Sequence, residues 1–142
     1  MERYRGDMGR RFVPHTADVR IEAWGASREE CVAEAVAATV ESFADVSGAA
    51  PATTEEVRFD AGTDEDLLVA VLDEVIYRLD TAGQLPLTTD VTPADGGLVV
   101  RFTMADVAAA TPVGAAPKAV SLHDLRFIRD PAGWSCTVTL DV

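Results

Sequence analysis

Basic residues are scarce in this sequence: 12 Lys and Arg stand against 24 Asp and Glu, a formal charge of −12. Such a chain repels phosphate backbones, whereas nucleic-acid binders carry a clustered basic face. The nearest approach to a basic run is Arg10-Arg11, with Arg3 and Arg5 standing alone. Direct RNA or DNA binding is therefore not expected. A cation or a basic protein partner suits the charge better, and solubility or a high-salt habitat would also account for it. Cysteine is scarce too. Cys31 falls in a helical pattern and Cys136 on an apolar strand face; they match no metal-ligand spacing and are expected as small buried hydrophobes.

Long apolar runs are missing as well. None approaches the ~20 residues that span a bilayer, so no membrane helix is expected. The charged start, Met1 to Asp7, is not followed by the apolar stretch of an export signal, which leaves the cytoplasm as the expected location. There is no Gly-rich phosphate loop, no nucleophile elbow and no His-x-x-x-His pair. Ser121 and Ser135 have no positioned base in the spacing.

What is present folds. With 142 residues and 48% hydrophobic content the chain reads as a single soluble domain, 1–142, with its own core. Residues 1–10 are expected as a flexible leader. From Asp18 to Trp24, Val19, Ile21 and Ala23 alternate with polar neighbours, the mark of a half-buried strand. Ser27 and Glu30 form a capping box for a helix carrying Val32, Ala35, Val36, Thr39, Val40 and Phe43. A short strand over 55–60 follows. Thr63 then caps a second helix with Asp64, Glu65 and Asp66 in its first turn and an apolar stripe from Leu67 to Leu79. Gly83 sits at its C-terminal cap. Strands over 85–92 and 98–104 flank a turn at Asp95-Gly96-Gly97, and strands over 119–129 and 134–142 form a hairpin around Asp130-Pro131-Ala132-Gly133. This order predicts an α+β fold: a mainly antiparallel sheet with two helices packed on one side.

Parity directs attention to the ends of the chain. Trp134, Cys136, Val138, Leu140 and Val142 share one strand face, which puts Asp141 on the polar face; Asp18 has the polar parity of its own strand. If those strands are antiparallel neighbours, Asp18 meets Asp141 beside the α-carboxylate of Val142. Three carboxylates together repel unless protonated or bridged by a cation. In the penultimate strand the apolar parity slips by one, between Val120-Leu122 and Leu125-Phe127, which predicts a β-bulge at His123-Asp124. His15 and Asp18 are a turn or cap, or else an acid/base pair.

Four blocks carry a resemblance: Pro14-His15-Thr16-Ala17-Asp18 before a strand; Asp66-Leu67-Leu68 opening the helix that runs through Leu72 to Tyr77; Lys118-Ala119-Val120-Ser121-Leu122-His123-Asp124-Leu125; and the terminal Leu140-Asp141-Val142. In this order and spacing, from about residue 12 onward, the chain resembles an archease. The resemblance implies a strand-helix-strand-strand core with an inserted related unit. It also implies a cytoplasmic, non-enzymatic activator of an RtcB-type RNA ligase, promoting guanylylation and repeated turnover in tRNA splicing or RNA repair. Carried over residue by residue, it implies a divalent cation held by Asp18, Asp141 and Val142, and a functional lysine at Lys118. His15 and His123 lie in the same blocks as partner or functional residues. Oxygen-only ligands suit Ca²⁺, Mg²⁺ or Mn²⁺. Two other readings remain open: a metal-dependent hydrolase using Asp18 and Asp141 with His15 or His123 as base, and a chaperone-like interaction module with a structural metal.

Overall fold

The computed structural model describes residues 8–14 and 18–142. In chain order these form β1 (Gly9–Pro14), β2 (Asp18–Gly25), α1 (Arg28–Glu41), β3 (Ala44–Asp45), β4 (Thr53–Asp60), α2 (Asp64–Ala82), β5 (Gln84–Ala94), β6 (Gly97–Asp106), β7 (Thr111–Pro112), β8 (Ala119–Asp130) and β9 (Gly133–Asp141).

All strand pairs are antiparallel, and they divide among three sheets: β1-β2-β9-β8, β4-β6-β5 and the two-residue pair β3-β7. The two larger sheets repeat one plan. Strand, helix, strand, strand in the order β2-α1-β8-β9 gives neighbours β2-β9-β8; β4-α2-β5-β6 gives β4-β6-β5. In each unit the third strand lies between the first two, and the second unit is inserted between α1 and β8. The expected α+β class and the inserted related unit are both present.

Local chemistry starts and stops the helices where the sequence indicated. The Ser27 hydroxyl accepts from the Glu30 N–H while the Glu30 carboxylate accepts from the Ser27 N–H, so the α1 capping box is closed in both directions. The Thr63 hydroxyl accepts from the Asp66 N–H. At the other end of α2, Gly83 adopts φ +62°, a left-handed cap that a side chain disfavours.

One continuous core joins the units. Val19, Ile21 and Ala23 of β2 and Cys136, Val138 and Leu140 of β9 meet buried residues of both helices and of β6. α1 packs on β2 and also on β5, and α2 packs on β8, β5 and β4. Full burial of each large aliphatic side chain, such as Leu68 or Leu72, contributes about 1.5–3 kcal/mol. The two cysteines are buried as expected: Cys31 Sγ lies 3.5 Å from the Ala23 carbonyl oxygen, and Ala23 pairs with Cys136 in the sheet.

β1 is a departure from expectation. It takes Gly9 and Arg10 out of the presumed leader and pairs them with Trp24 and Ala23. Arg10 then bonds Glu34 and Glu41 of α1, and Arg11 bonds Glu22. The basic doublet is thus engaged within the fold.

Candidate metal and partner site

The β2–β9 register sets Asp18 opposite Asp141, with Arg20 opposite Thr139 and Glu22 opposite Thr137 along the same polar face. The core parity of Val19, Ile21, Val138 and Leu140 fixes this arrangement, because a one-residue slip would bury the carboxylates and expose the aliphatics. On the other side of β9, Ala119 pairs with Asp141, and the Lys118 N–H donates to the Asp141 carbonyl oxygen at 2.7 Å. One row across three strands therefore brings Asp18, Asp141 and the start of β8 together. Val142 follows directly, its side chain packed against the core. Lys118 is exposed at this edge.

The expected bulge is present and larger than one residue. Ser121 pairs with Thr139 and Arg126 with Thr137, so four residues, 122–125, face Val138 alone. Asp124 takes φ 59°, the left-handed region that Asp tolerates better than most residues. His123 projects into solvent with its side chain 86% exposed, and its Nε2 lies 3.2 Å from Asp124 Oδ2. Asp124 also lines a cavity of about 240 Å³ with Val13, Asp18, Arg20 and Thr139. Asp124 is left out by reasoning about the ends of the chain; its signals are the parity slip and its place in the Lys118–Leu125 block. His15 lies outside the described residues.

The donors at Asp18 and Asp141 are oxygens only, which fits a hard divalent cation. Among the described residues no three His, Cys, Asp or Glu side chains gather in one place. The facing pair offers two side-chain carboxylates, fewer oxygen donors than a hard divalent cation takes in full. The cysteines offer no alternative centre. Contact with Cys136, reinforced by burial, pushes the Cys31 thiol far above its ordinary range, which suppresses the thiolate. No described helix is long and apolar enough to cross a membrane.

Fold and register together define a small α+β protein of two related β-α-β-β units, with carboxylates facing each other where its first and last long strands meet. The chain belongs to the archease family: residues 11–142 match the Archease protein family (MTH1598/TM1083). It is 52% identical over 134 residues to a probable protein archease of Mycobacterium tuberculosis, covering 94% of this chain and 75% of that one. It is 28% identical to the protein archease of Archaeoglobus fulgidus, over 93% of this chain and 98% of that one. Among solved structures, Methanobacterium thermoautotrophicum protein 1598 matches with TM-score 0.74 and 25% identity, over 94% of this chain and 99% of that chain. An archease from Thermotoga maritima, described as a possible chaperone, matches with TM-score 0.67 and 25% identity, over 92% and 94%.

Proposed function

We propose that this protein is a non-enzymatic activator of an RtcB-type RNA ligase, promoting guanylylation and repeated turnover in tRNA splicing or RNA repair. The observation that carries the reading is the facing of Asp18 and Asp141 on one row with the start of β8, in a chain of the archease family. In this reading Asp18, Asp141 and the carboxylate of Val142 hold a divalent cation, Ca²⁺, Mg²⁺ or Mn²⁺. When bound, the cation neutralises the facing carboxylates and offers open coordination positions to a partner's oxygen ligand. The chain's own residues do the rest. The backbone bond from Lys118 to Asp141 keeps the end of β9 in register. The exposed Lys118 ammonium, at the same edge, is available to a phosphate or carboxylate of the partner. His123 and the bulge apex present a second contact close by, and His15, outside the described residues, is a further functional residue in this reading.

The engagement of Arg10 and Arg11 by Glu34, Glu41 and Glu22 supports a protein partner over direct RNA contact. The test is guanylylation of the purified cognate ligase with and without this protein. Acceleration is expected, together with its loss in Asp141→Ala; a ligase that reacts at the same rate alone would sink the reading. The coarser alternative, suggested by the description of the Thermotoga maritima relative as a possible chaperone, makes a different prediction. A general chaperone would suppress aggregation of unrelated unfolded proteins, and Asp141→Ala would leave that intact.

A further inference from the structure

A groove of about 740 Å³ runs along the outer side of α2, with Ala116, Pro117 and Lys118 forming its other wall. Asp73, Tyr77 and Asp80 line it from the helix; at spacings of four and three they share one helix face. Seven residues of helix put Asp73 and Asp80 about 10 Å apart. Of the other charged residues of α2, Asp64 pairs with Arg28 and Glu74 with Arg78, while Glu65 and Asp66 lie in the first turn and do not line the groove. Among the described residues, Asp73 and Asp80 form no ion pair. Tyr77, between them, is 61% exposed, a large aromatic surface left open to water. Partial desolvation already pushes the Asp73 carboxyl above its ordinary range, so this anion gains from an incoming cation.

The groove does not end at Asp80. Leu79 and Ala116 also line a smaller hollow of about 200 Å³, walled by Phe43, Val107 and Pro112 at the C-terminal end of α2. Two carboxylates at a fixed spacing thus lead into an apolar recess sized for one side chain.

We propose that this groove docks a basic, amphipathic segment of a protein partner. Two Lys or Arg side chains about 10 Å apart meet Asp73 and Asp80, the stretch between them lies on Tyr77, and one large apolar residue enters the hollow beside Phe43. Charge complementarity selects this occupant. An RNA strand brings phosphates against two carboxylates, and a second copy of this chain brings a net charge of −12. The proposal rests on the activator reading and supplies its docking surface, because Lys118 joins the groove wall to the Asp141 end of β9.

The probe is a short amidated synthetic helix with two Arg seven residues apart and a Phe beyond the second, titrated into the full ¹⁵N-labelled chain; its control carries Glu for Arg. Amide shifts are expected to cluster at Tyr77, Asp80 and Ala116 with the Arg peptide alone. The double variant Asp73→Asn, Asp80→Asn should weaken its binding about tenfold, the sum of two partly exposed charge pairs. It should raise by a similar factor the protein concentration needed for half-maximal ligase guanylylation. Shifts scattered over the acidic surface, or equal affinity for the double variant, overturn the groove. A ligase activated equally by wild type and double variant also overturns it while leaving the activator reading standing. Peptide binding in the groove with no effect of the wild type on the ligase does the reverse.

Discussion

Replacing Asp141 by Asn removes one of two carboxylates that face each other across β2 and β9. Directly opposed residues in an antiparallel pair hold their Cβ atoms about 4.5–5.5 Å apart. Two unit charges at about 5 Å repel by roughly 0.8 kcal/mol in a water-like dielectric and by about 3 kcal/mol at an effective dielectric of 20. Asp141 is exposed and Asp18 half-buried, so the lower figure governs. Among the described residues the Asp141 side chain has no other partner, and the bond from the Lys118 N–H goes to the backbone carbonyl, which Asn retains. In chelator, Asp141→Asn should therefore be the more stable protein by up to about 1 kcal/mol, a Tm rise of about 2–4 °C. Excess divalent cation should reverse the order. Wild type gains about 2.7 kcal/mol at a hundredfold excess over Kd, and the variant, short of one donor, gains much less. Calorimetry in EDTA and then in Ca²⁺, Mg²⁺ or Mn²⁺ reads both halves. A variant less stable than wild type in EDTA, or one that gains equally from every cation, refutes the facing-carboxylate argument.

Other perturbations probe the scaffold. Ser27→Ala opens the α1 capping box and should cost about 1 kcal/mol in urea denaturation. Gly97→Ala would place a Cβ 1.9 Å from the Phe59 carbonyl oxygen, so β4 and β6 must part; a loss above about 2 kcal/mol is expected by thermal melting. Arg10→Met removes the bonds to Glu34 and Glu41, and β1 amides should exchange faster with a stability loss of about 1 kcal/mol, moderated by partial exposure. For Asp73 the raised carboxyl pKa sets the sign. The folded state prefers the neutral acid, so stability is fully present below the unfolded pKa and is lost as pH rises through the folded value. Asp73→Asn should match wild type in acid and be slightly more stable at neutral pH, by less than about 0.5 kcal/mol. A neutral-pH loss would show that the charge is paired.

Periodicity made the long elements legible. The alternation of Val19, Ile21 and Ala23, the helical spacing of Leu67 to Leu79 and the caps at Ser27, Thr63 and Gly83 are all local signals, and all correspond to described elements. β1 was not legible, because as an edge strand its Gly-Arg-Arg-Phe-Val-Pro has no clean apolar face: Phe12 is 38% exposed and the strand is held by pairing with β2 and by Arg10 reaching α1. The β3–β7 bridge, two residues a side, is too short to carry any period. That the strands form separate sheets was likewise hidden, since period-2 patterning gives a face and not a neighbour. At the candidate site, parity placed Asp18 and Asp141 on polar faces, but their meeting depended on strand order. Lys118 is tied to Asp141 through its backbone, a contact no side-chain pattern announces.

The bulge in β8 has a further meaning for how this chain can change in length. Four residues stand opposite Val138, an odd excess, which is why Val120 before them and Phe127 after them differ in parity yet both face the core. The pairing of Val120 with Leu140 and of Phe127 with Cys136 fixes the side that each end of the strand faces, whatever the number of residues looped between them. Residues 122–125, which have no partner in the β9 register, are therefore where β8 can change in length at least cost to the core. The loop that carries His123 can lengthen or shorten beside Asp18 while the Lys118 and Phe127 segments keep their places on β9.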